Sequence, residues 1–562
     1  MLAAGNHGAG VVIPTDHFSV LSVAHRPLLT TNRFGITVMS NTLTNAIEHS
    51  KVQSFDGQDI PWLLDQWAQR RADKVFMQWQ PFSGSPQSWS FSRLQYEARS
   101  IAAALYERGV RAGDFVIIHL DNSPEFVLSW FACAELGAVA VSTNTHSVAR
   151  DMRYFCEHTD AVCVITQPDY VEMIESACSA LKFVVVTGET APTEHIAFAA
   201  LLAADGATLP KRPAEPMASL SVQFTSGTTS RPKAVLWTHA NGLWGAKTCA
   251  SHMRIGPEDR TLVYMPLFHT NAQTYSMLST LWVGGMFVLQ PKFSASRFWP
   301  LSLQYQLTWA SMIPFAIKAI SVQPVPQHSY RFWGAAANVP AIAQRFKLNM
   351  IGWWGMTETL THGIVTDVDH PGPAGTIGRV APEYDIQIRS SQGQLAGPGE
   401  RGLLFIRGVR GVSLFKEYYR NDAANSGAFD PQGWFETGDI VRQDEAGYLF
   451  FSDRDKDMLK VGAENVAASE IESVVMQTGL AEECAVVAQQ HAMLDEVPVV
   501  FVIANKSEQV TADIEAAIIA YCRENLASFK VPRSVFIVDS LPRSTLEKIA
   551  KNVLRQGLPK IT

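Results

Sequence analysis

The segment FTSGTTSRPK, residues 224–233, decides how this chain is read. Gly227 lets the backbone approach a ligand closely, while Thr225, Ser226, Thr228 and Thr229 offer hydroxyl and amide donors to phosphate oxygens. Lys233 adds a positive charge at the end of the run. The spacing is not that of a Walker A loop, which needs glycine followed at once by lysine and Ser/Thr with a helix opening on the phosphates. Here Pro232 precedes the lysine, and Ala234, Val235 and Leu236 continue as an apolar strand. A Ser/Thr/Gly run alone is more often a solvated loop. Because residues 220–224 upstream are also strand-like, the predicted unit is a hairpin presenting its turn to an anionic ligand.

Outward from this hairpin the pattern alternates. Residues 62–71, 92–108, 124–136 and 149–158 have helical periodicity, and 114–120, 138–142 and 161–166 read as short strands. Beyond it, helices are predicted at 241–252 and 272–281, with a strand at 261–264. Such alternation implies parallel sheets covered by helices. From 375 to 419 the pattern changes to short strands with Gly/Pro turns, a small β-rich subdomain. A compact tail follows the charged DRDKD joint at 453–457 and is long enough to fold by itself. The predicted fold is therefore α/β: a large N-terminal domain of helix-covered sheets plus the β-rich subdomain, residues 51–453, and a small mobile α+β C-terminal domain, residues 454–562.

Composition narrows the function. A net charge of -7 argues against nucleic acid as the main partner, which usually needs a basic face, and favours small molecules. Seven widely spread cysteines with no C-x-x-C spacing predict reduced thiols in a cytoplasmic setting, with His158 and Cys163 as packing groups. No apolar run is long enough for a membrane helix, so stable membrane insertion is not expected. Residues 1–38 lack the basic start and continuous apolar core of a secretory signal, whereas MSNTLTNAIEHSKV from Met39 reads as a conventional protein start. Residues 1–50 are expected to be a disordered extension or the product of an upstream start codon.

Further motifs follow in order: GWWGMTETL at 352–360, GWFETGD at 433–439, DRDKDMLKVGAEN at 453–465 and LPRSTLEKIAK at 541–551. With the first loop they resemble the acyl-adenylate-forming superfamily of acyl-CoA synthetases, luciferases and peptide adenylation domains, over roughly residues 55–560. PLFHTNAQ at 266–273, KFSASRFW at 292–299, FKEYYRN at 415–421 and FKVPR at 529–533 look most similar to carnitine/crotonobetaine-type CoA ligases.

The resemblance implies an ATP-dependent acid–CoA ligase with ATP, Mg2+ and CoA as partners of a carboxylic acid, and leaves room for a homodimer. Joining a carboxylate to ATP brings two anions together, so the site must neutralise charge and hold geometry. By resemblance Glu358 binds magnesium, Thr357 contacts the α-phosphate, and the loop from Thr225 to Lys233 holds the departing pyrophosphate. Asp439 takes the ribose hydroxyls with Arg454 nearby, Trp354 lies against adenine, and Gly334, Ala335 and Ala336 flank the base where side chains would obstruct it. Lys548 is the expected catalytic lysine, with Lys551 as the second candidate. A hinge at Lys456 would then remove Lys548 and bring in Lys460 and the loop from Val461 to Asn465, with Gly462 giving the pantetheine room to pass, for thiol attack. His269, Tyr275 and Trp333 are expected at the acyl pocket.

The sequence departs from the family pattern at Ser230, Ala234, Ala463 and Glu547, the last placing a carboxylate beside Lys548. Glu358 is the only acid in the expected acyl-pocket segments, so an apolar or ring-bearing acid is favoured over a quaternary ammonium acid, which would have to rest on ring faces. Competing readings are an adenylating enzyme that loads an external carrier protein and a non-catalytic acyl-nucleotide binding protein. Light emission is the weakest, since no motif announces a luciferin.

Overall fold

The computed structural model describes residues 54–192, 194–225, 231–390, 392–454, 458–462, 464–505, 514–542, 549 and 551–558. The expectation for residues 1–50 lies outside them.

The Pro124–Leu136 helix shows why the first layers form. Ser123 caps it by accepting from the Phe126 amide, Pro124 starts it, and Gly137 at φ 79° ends it. Nearly every residue of it is buried, so it is an internal strut rather than a surface helix. It packs on the Phe91–Glu107 helix, within one core that reaches both large sheets.

The first sheet has eight strands, in spatial order Glu417–Tyr418, Lys233–Thr238, Ser219–Thr225, Val139–Ser142, Phe115–His119, Cys163–Thr166, Phe183–Val186 and Ile196–Ala197. From Ser219–Thr225 outward to Ile196–Ala197 it is parallel, as the alternation predicts. Ser219–Thr225 and Lys233–Thr238 pair antiparallel with Thr225 opposite Lys233, so the predicted hairpin is present; its tip, Ser226 to Ser230, lies outside the described residues. A second, nine-stranded sheet has a parallel centre that includes Trp309–Ser311, Phe332–Ala335 and Asn349–Trp354.

The β-rich part extends further than 375–419. Its sheet is antiparallel and runs Asp385–Arg389, Arg401–Arg407, Phe435–Gln443, Leu449–Arg454, while Glu417–Tyr418 leaves it to become an edge of the first sheet. The strand at Glu417–Tyr418 is too short to show a period, which is why its partner was not legible. A five-stranded sheet begins at Met458–Val461 and has its own core of Leu459, Val466, Ile471, Val486, Val500 and Ile518.

Two local expectations are corrected. The segment predicted as an α-helix at 272–281 is a π-helix over Asn271–Leu278 that continues into a short α-helix at Ser279–Val283; apolar spacing cannot distinguish the wider turn. The reduced-thiol reading fails for Cys156 and Cys178, which form a disulfide joining the Ala149–Thr159 helix to the end of Val171–Ala177, while Cys133, Cys163, Cys249, Cys484 and Cys522 are free and buried. Spacing carries no pairing information here; the fold brings the two Cα atoms within 6.0 Å.

Replacing Cys156 and Cys178 together by serine is expected to lower stability by about 3 kcal/mol, read by urea unfolding, and a dithiol reductant should bring the unmodified protein to the same value. Equal unfolding midpoints without reductant would contradict the bond.

Candidate active site

The three N-terminal sheets converge on one turn. The Asn349–Trp354 strand ends at Trp354, and the chain continues through Gly355, Met356 and Thr357 to Glu358 at the carboxyl end of a mainly parallel sheet, where such folds bind ligands. A Cβ at Gly355 would overlap the Tyr275 hydroxyl and the Thr361 carbonyl, so glycine lets the turn close over Tyr275.

At one end of the turn, the Trp354 indole Nε1 donates to Asp439 Oδ2 at 2.8 Å. Both side chains are buried, Asp439 at 3% exposure. Asp439 sits in Phe435–Gln443 just after Gly438, whose φ of 75° makes the bend, and its amide donates to Thr437 Oγ1. Arg454 is its cross-strand neighbour.

At the other end, Glu358 is 5% exposed and its Oε1 accepts from the Tyr418 hydroxyl at 2.9 Å. Burial, and then the Glu358 charge, push the Tyr418 phenol far above its ordinary value, so it remains the donor. Lys233 Nζ lies 4.4 Å from the centroid of the Tyr418 ring, which brings the lysine, the phenol and the carboxylate together. The Trp237 indole donates to the Thr357 carbonyl, and the Thr270 hydroxyl lies 3.3 Å from Thr357 Oγ1. A buried carboxylate beside a hydroxyl is a hard oxygen set that suits Mg2+, which is usually held by one or two carboxylates together with substrate phosphates. Glu358 would hold the ion, which when bound offsets phosphate charge.

The flanking residues are less uniform. Gly334 has a packing reason to be small: a Cβ there would enter the Trp353 ring. Ala335 is buried and Ala336 exposed where Phe332–Ala335 ends. Tyr275 is buried, with its ring edge-on to His362 at 4.2 Å, and His362 stacks on Trp353 at 4.6 Å. Burial, with His252 nearby, holds the His362 imidazole well below its ordinary value, so this wall is neutral. Trp333 is set apart from it, wholly buried against Phe346, Tyr330 and Phe298.

His269 faces the C-terminal domain. Its Nε2 is 3.4 Å from the Glu464 carboxylate, which also accepts from Asn144 Nδ2 at 3.1 Å. Burial alone would raise Glu464, but the charge and hydrogen bond of His269, together with the charges of His146 and Lys530, hold the carboxyl below its usual range. Glu464 stands on the hairpin of Met458–Val461 and Glu464–Ala467, whose turn uses Gly462 at φ 63°. Lys460, on the same hairpin, is exposed, with Nζ 5.2 Å from the Phe451 ring centroid. Lys551 is paired with Glu472 at 2.7 Å. Ser226, Gly227, Thr228, Thr229, Lys456, Glu547 and Lys548 lie outside the described residues.

Sequence reasoning missed Tyr418 and Asn144 as site residues and reached Glu464 only as a member of the loop from Val461 to Asn465. FKEYYRN and GAEN were both noticed as motifs, but neither spacing reveals which side chain meets Glu358 or His269.

Comparison with known proteins gives the family. The AMP-binding enzyme family matches residues 64–419, and the AMP-binding enzyme C-terminal domain matches 470–548. A crotonobetaine/carnitine–CoA ligase from Salmonella paratyphi C is 33% identical over 518 residues, spanning 89% of this chain and 99% of the relative. Among solved structures, o-succinylbenzoate CoA synthetase from Bacillus subtilis carrying a double mutation and bound with its product analogue OSB-NCoA matches with a TM-score of 0.78 at 24% identity, over 89% of this chain and 99% of the other. The same synthetase in complex with AMP matches with a TM-score of 0.63 at 25% identity, over 89% and 98%. The chain belongs to the AMP-binding enzyme family and, within it, to the AMP-forming acid–thiol ligases. Among the described residues no helix is long and apolar enough to cross a membrane.

Asp439→Asn is expected to weaken AMP binding about tenfold by calorimetry, since a charge-assisted acceptor is lost, while the Trp354 bond can persist to the amide oxygen. Undiminished AMP affinity would remove Asp439 from the nucleotide site.

Proposed function

We propose that the protein activates a carboxylic acid with an apolar or ring-bearing tail as its acyl-AMP, releasing pyrophosphate, and then transfers the acyl group to the thiol of CoA. The observation that carries the first half is the turn from Trp354 to Glu358, which meets Asp439 at one end and Tyr418 with Lys233 at the other. On this reading Asp439 holds the ribose, Trp354 flanks the base, and Glu358, Thr357, Lys233 and the Thr225 side of the hairpin face the phosphates. These preset charges and donors lower the barrier between two anions without reorganising during the reaction.

The second half rests on the docked hairpin. Glu464 joins Asn144 and His269, and beside this contact a cavity of about 560 Å3 between the domains is lined by His146, Ser528, Arg523 and Arg533 among others. Two arginines suit the anionic nucleotide end of CoA better than a carrier protein's bare phosphopantetheine. The higher TM-score of the synthetase bound to a CoA-type product analogue supports reading this arrangement as the thiol-transfer pose, with residues 454–562 moving about Lys456 between half-reactions and Lys548 serving the first.

The neutral wall of Tyr275, Trp353 and His362 supports an uncharged tail. A quaternary ammonium acid, the kind of substrate named for the Salmonella relative, would meet ring faces at these three residues, since the nearby Glu383 carboxylate is engaged by His252.

The expected result with a panel of betaines, fatty, aryl and ring-bearing acids is ATP- and CoA-dependent AMP release with thioester detected by mass, strongest for an uncharged tail. Preference for a betaine would overturn the substrate reading, and acyl-AMP without thioester would favour a carrier-protein acceptor. Arg533→Ala should raise the KM for CoA about tenfold and leave pyrophosphate exchange unchanged, as expected for loss of a bond to a charged group. Glu464→Gln should slow thioester formation selectively. Because the Glu464 carboxyl is held low, its contribution to docking should be full above the ordinary glutamate range and be lost as pH falls through the lowered value.

A further inference from the structure

The Ala149–Thr159 helix lies away from the turn at Trp354 to Glu358, yet its side chains reach the two strands that carry Lys233 and Tyr418. Tyr154 donates its hydroxyl to the Pro232 carbonyl at 2.9 Å, one residue before Lys233. His158 Nε2 meets the Tyr419 carbonyl at 2.8 Å, one residue after Tyr418; since a carbonyl only accepts, this nitrogen carries the proton. Positions four apart share a helix face, and these two rings stand 5.1 Å from each other. Between them Phe155 stacks on Phe224 at 4.1 Å, gripping the other strand of the hairpin. The gripped strands are themselves joined, with Tyr418 opposite Val235 and the Tyr419 amide donating to the Ala234 carbonyl. The helix is tied down in turn by the Cys156–Cys178 bond.

We propose that Tyr154 and His158 are positioning residues for the phosphate end of the site: they fix the main chain on either side of Lys233 and Tyr418, and so set where the lysine and the Glu358 carboxylate face MgATP. The inference rests on the ligase reading above. Neither residue touches the reacting atoms. Their effect is to hold a lysine and a phenol whose misplacement by a fraction of an ångström would weaken contacts to the outer phosphates and leave the ribose contacts of Asp439 alone.

The test is calorimetric binding of MgATP and, separately, of AMP to the full chain and to Tyr154→Phe and His158→Leu, two changes that remove the donor and keep most of the packing. Each variant is expected to bind MgATP about three- to tenfold more weakly, the loss of one hydrogen bond acting on placement, while AMP affinity is unchanged. Pyrophosphate exchange should show the same rise in KM for ATP, with transfer from preformed acyl-AMP to CoA unaffected. Unmoved MgATP affinity in both variants overturns the clamp alone, and so does an equal loss for AMP, which is what simple loosening of the fold would give. If the unmodified protein binds neither nucleotide, the ligase reading falls and the clamp falls with it.

Discussion

Burying a carboxylate is costly unless donors replace the lost water, and this protein buries two within one short stretch of its site. Asp439 is 3% exposed and Glu358 5% exposed. The first accepts from the Trp354 indole and the second from the Tyr418 phenol. Those partners come from different layers: Trp354 ends a strand of the nine-stranded sheet, Asp439 lies in the antiparallel four-stranded sheet, and Tyr418 is on the edge of the eight-stranded sheet. The three sheets must therefore all be assembled before both carboxylates are satisfied. The requirement links the fold of the N-terminal domain to its nucleotide chemistry.

The two donors differ in what they leave available. An indole has a single N–H, so once it is committed to Asp439 the ring faces are what Trp354 can still offer a base. A phenol kept protonated by burial donates to Glu358 without adding charge, so the negative charge that would meet a cation is preserved. Lys233 over the Tyr418 ring places positive charge nearby through a contact with the ring face.

Much of this was legible in the sequence because it is periodic or built from turn residues. The hairpin around residues 226–230 followed from an apolar strand on either side of a hydroxyl-rich loop, and the Pro124–Leu136 helix matches its sequence bounds because serine, proline and glycine punctuate it. What the sequence concealed depends on chain segments far apart. Tyr418 meets Glu358 across 60 positions, and Cys156 meets Cys178 through two helices whose packing no spacing encodes. That Trp353 fills the space a side chain at Gly334 would need was likewise hidden, because the two lie on different strands. The π-helix at Asn271–Leu278 escaped because its apolar spacing resembles that of an α-helix.

The most direct test of the account is a crystal structure of the full chain with a non-hydrolysable acyl-sulfamoyl adenosine. The account predicts the ribose hydroxyls on Asp439, the base against Trp354, the sulfamoyl group beside Thr357, and the acyl chain running toward Tyr275. A nucleoside bound elsewhere, with the Trp354 to Asp439 contact untouched by ligand, would contradict it.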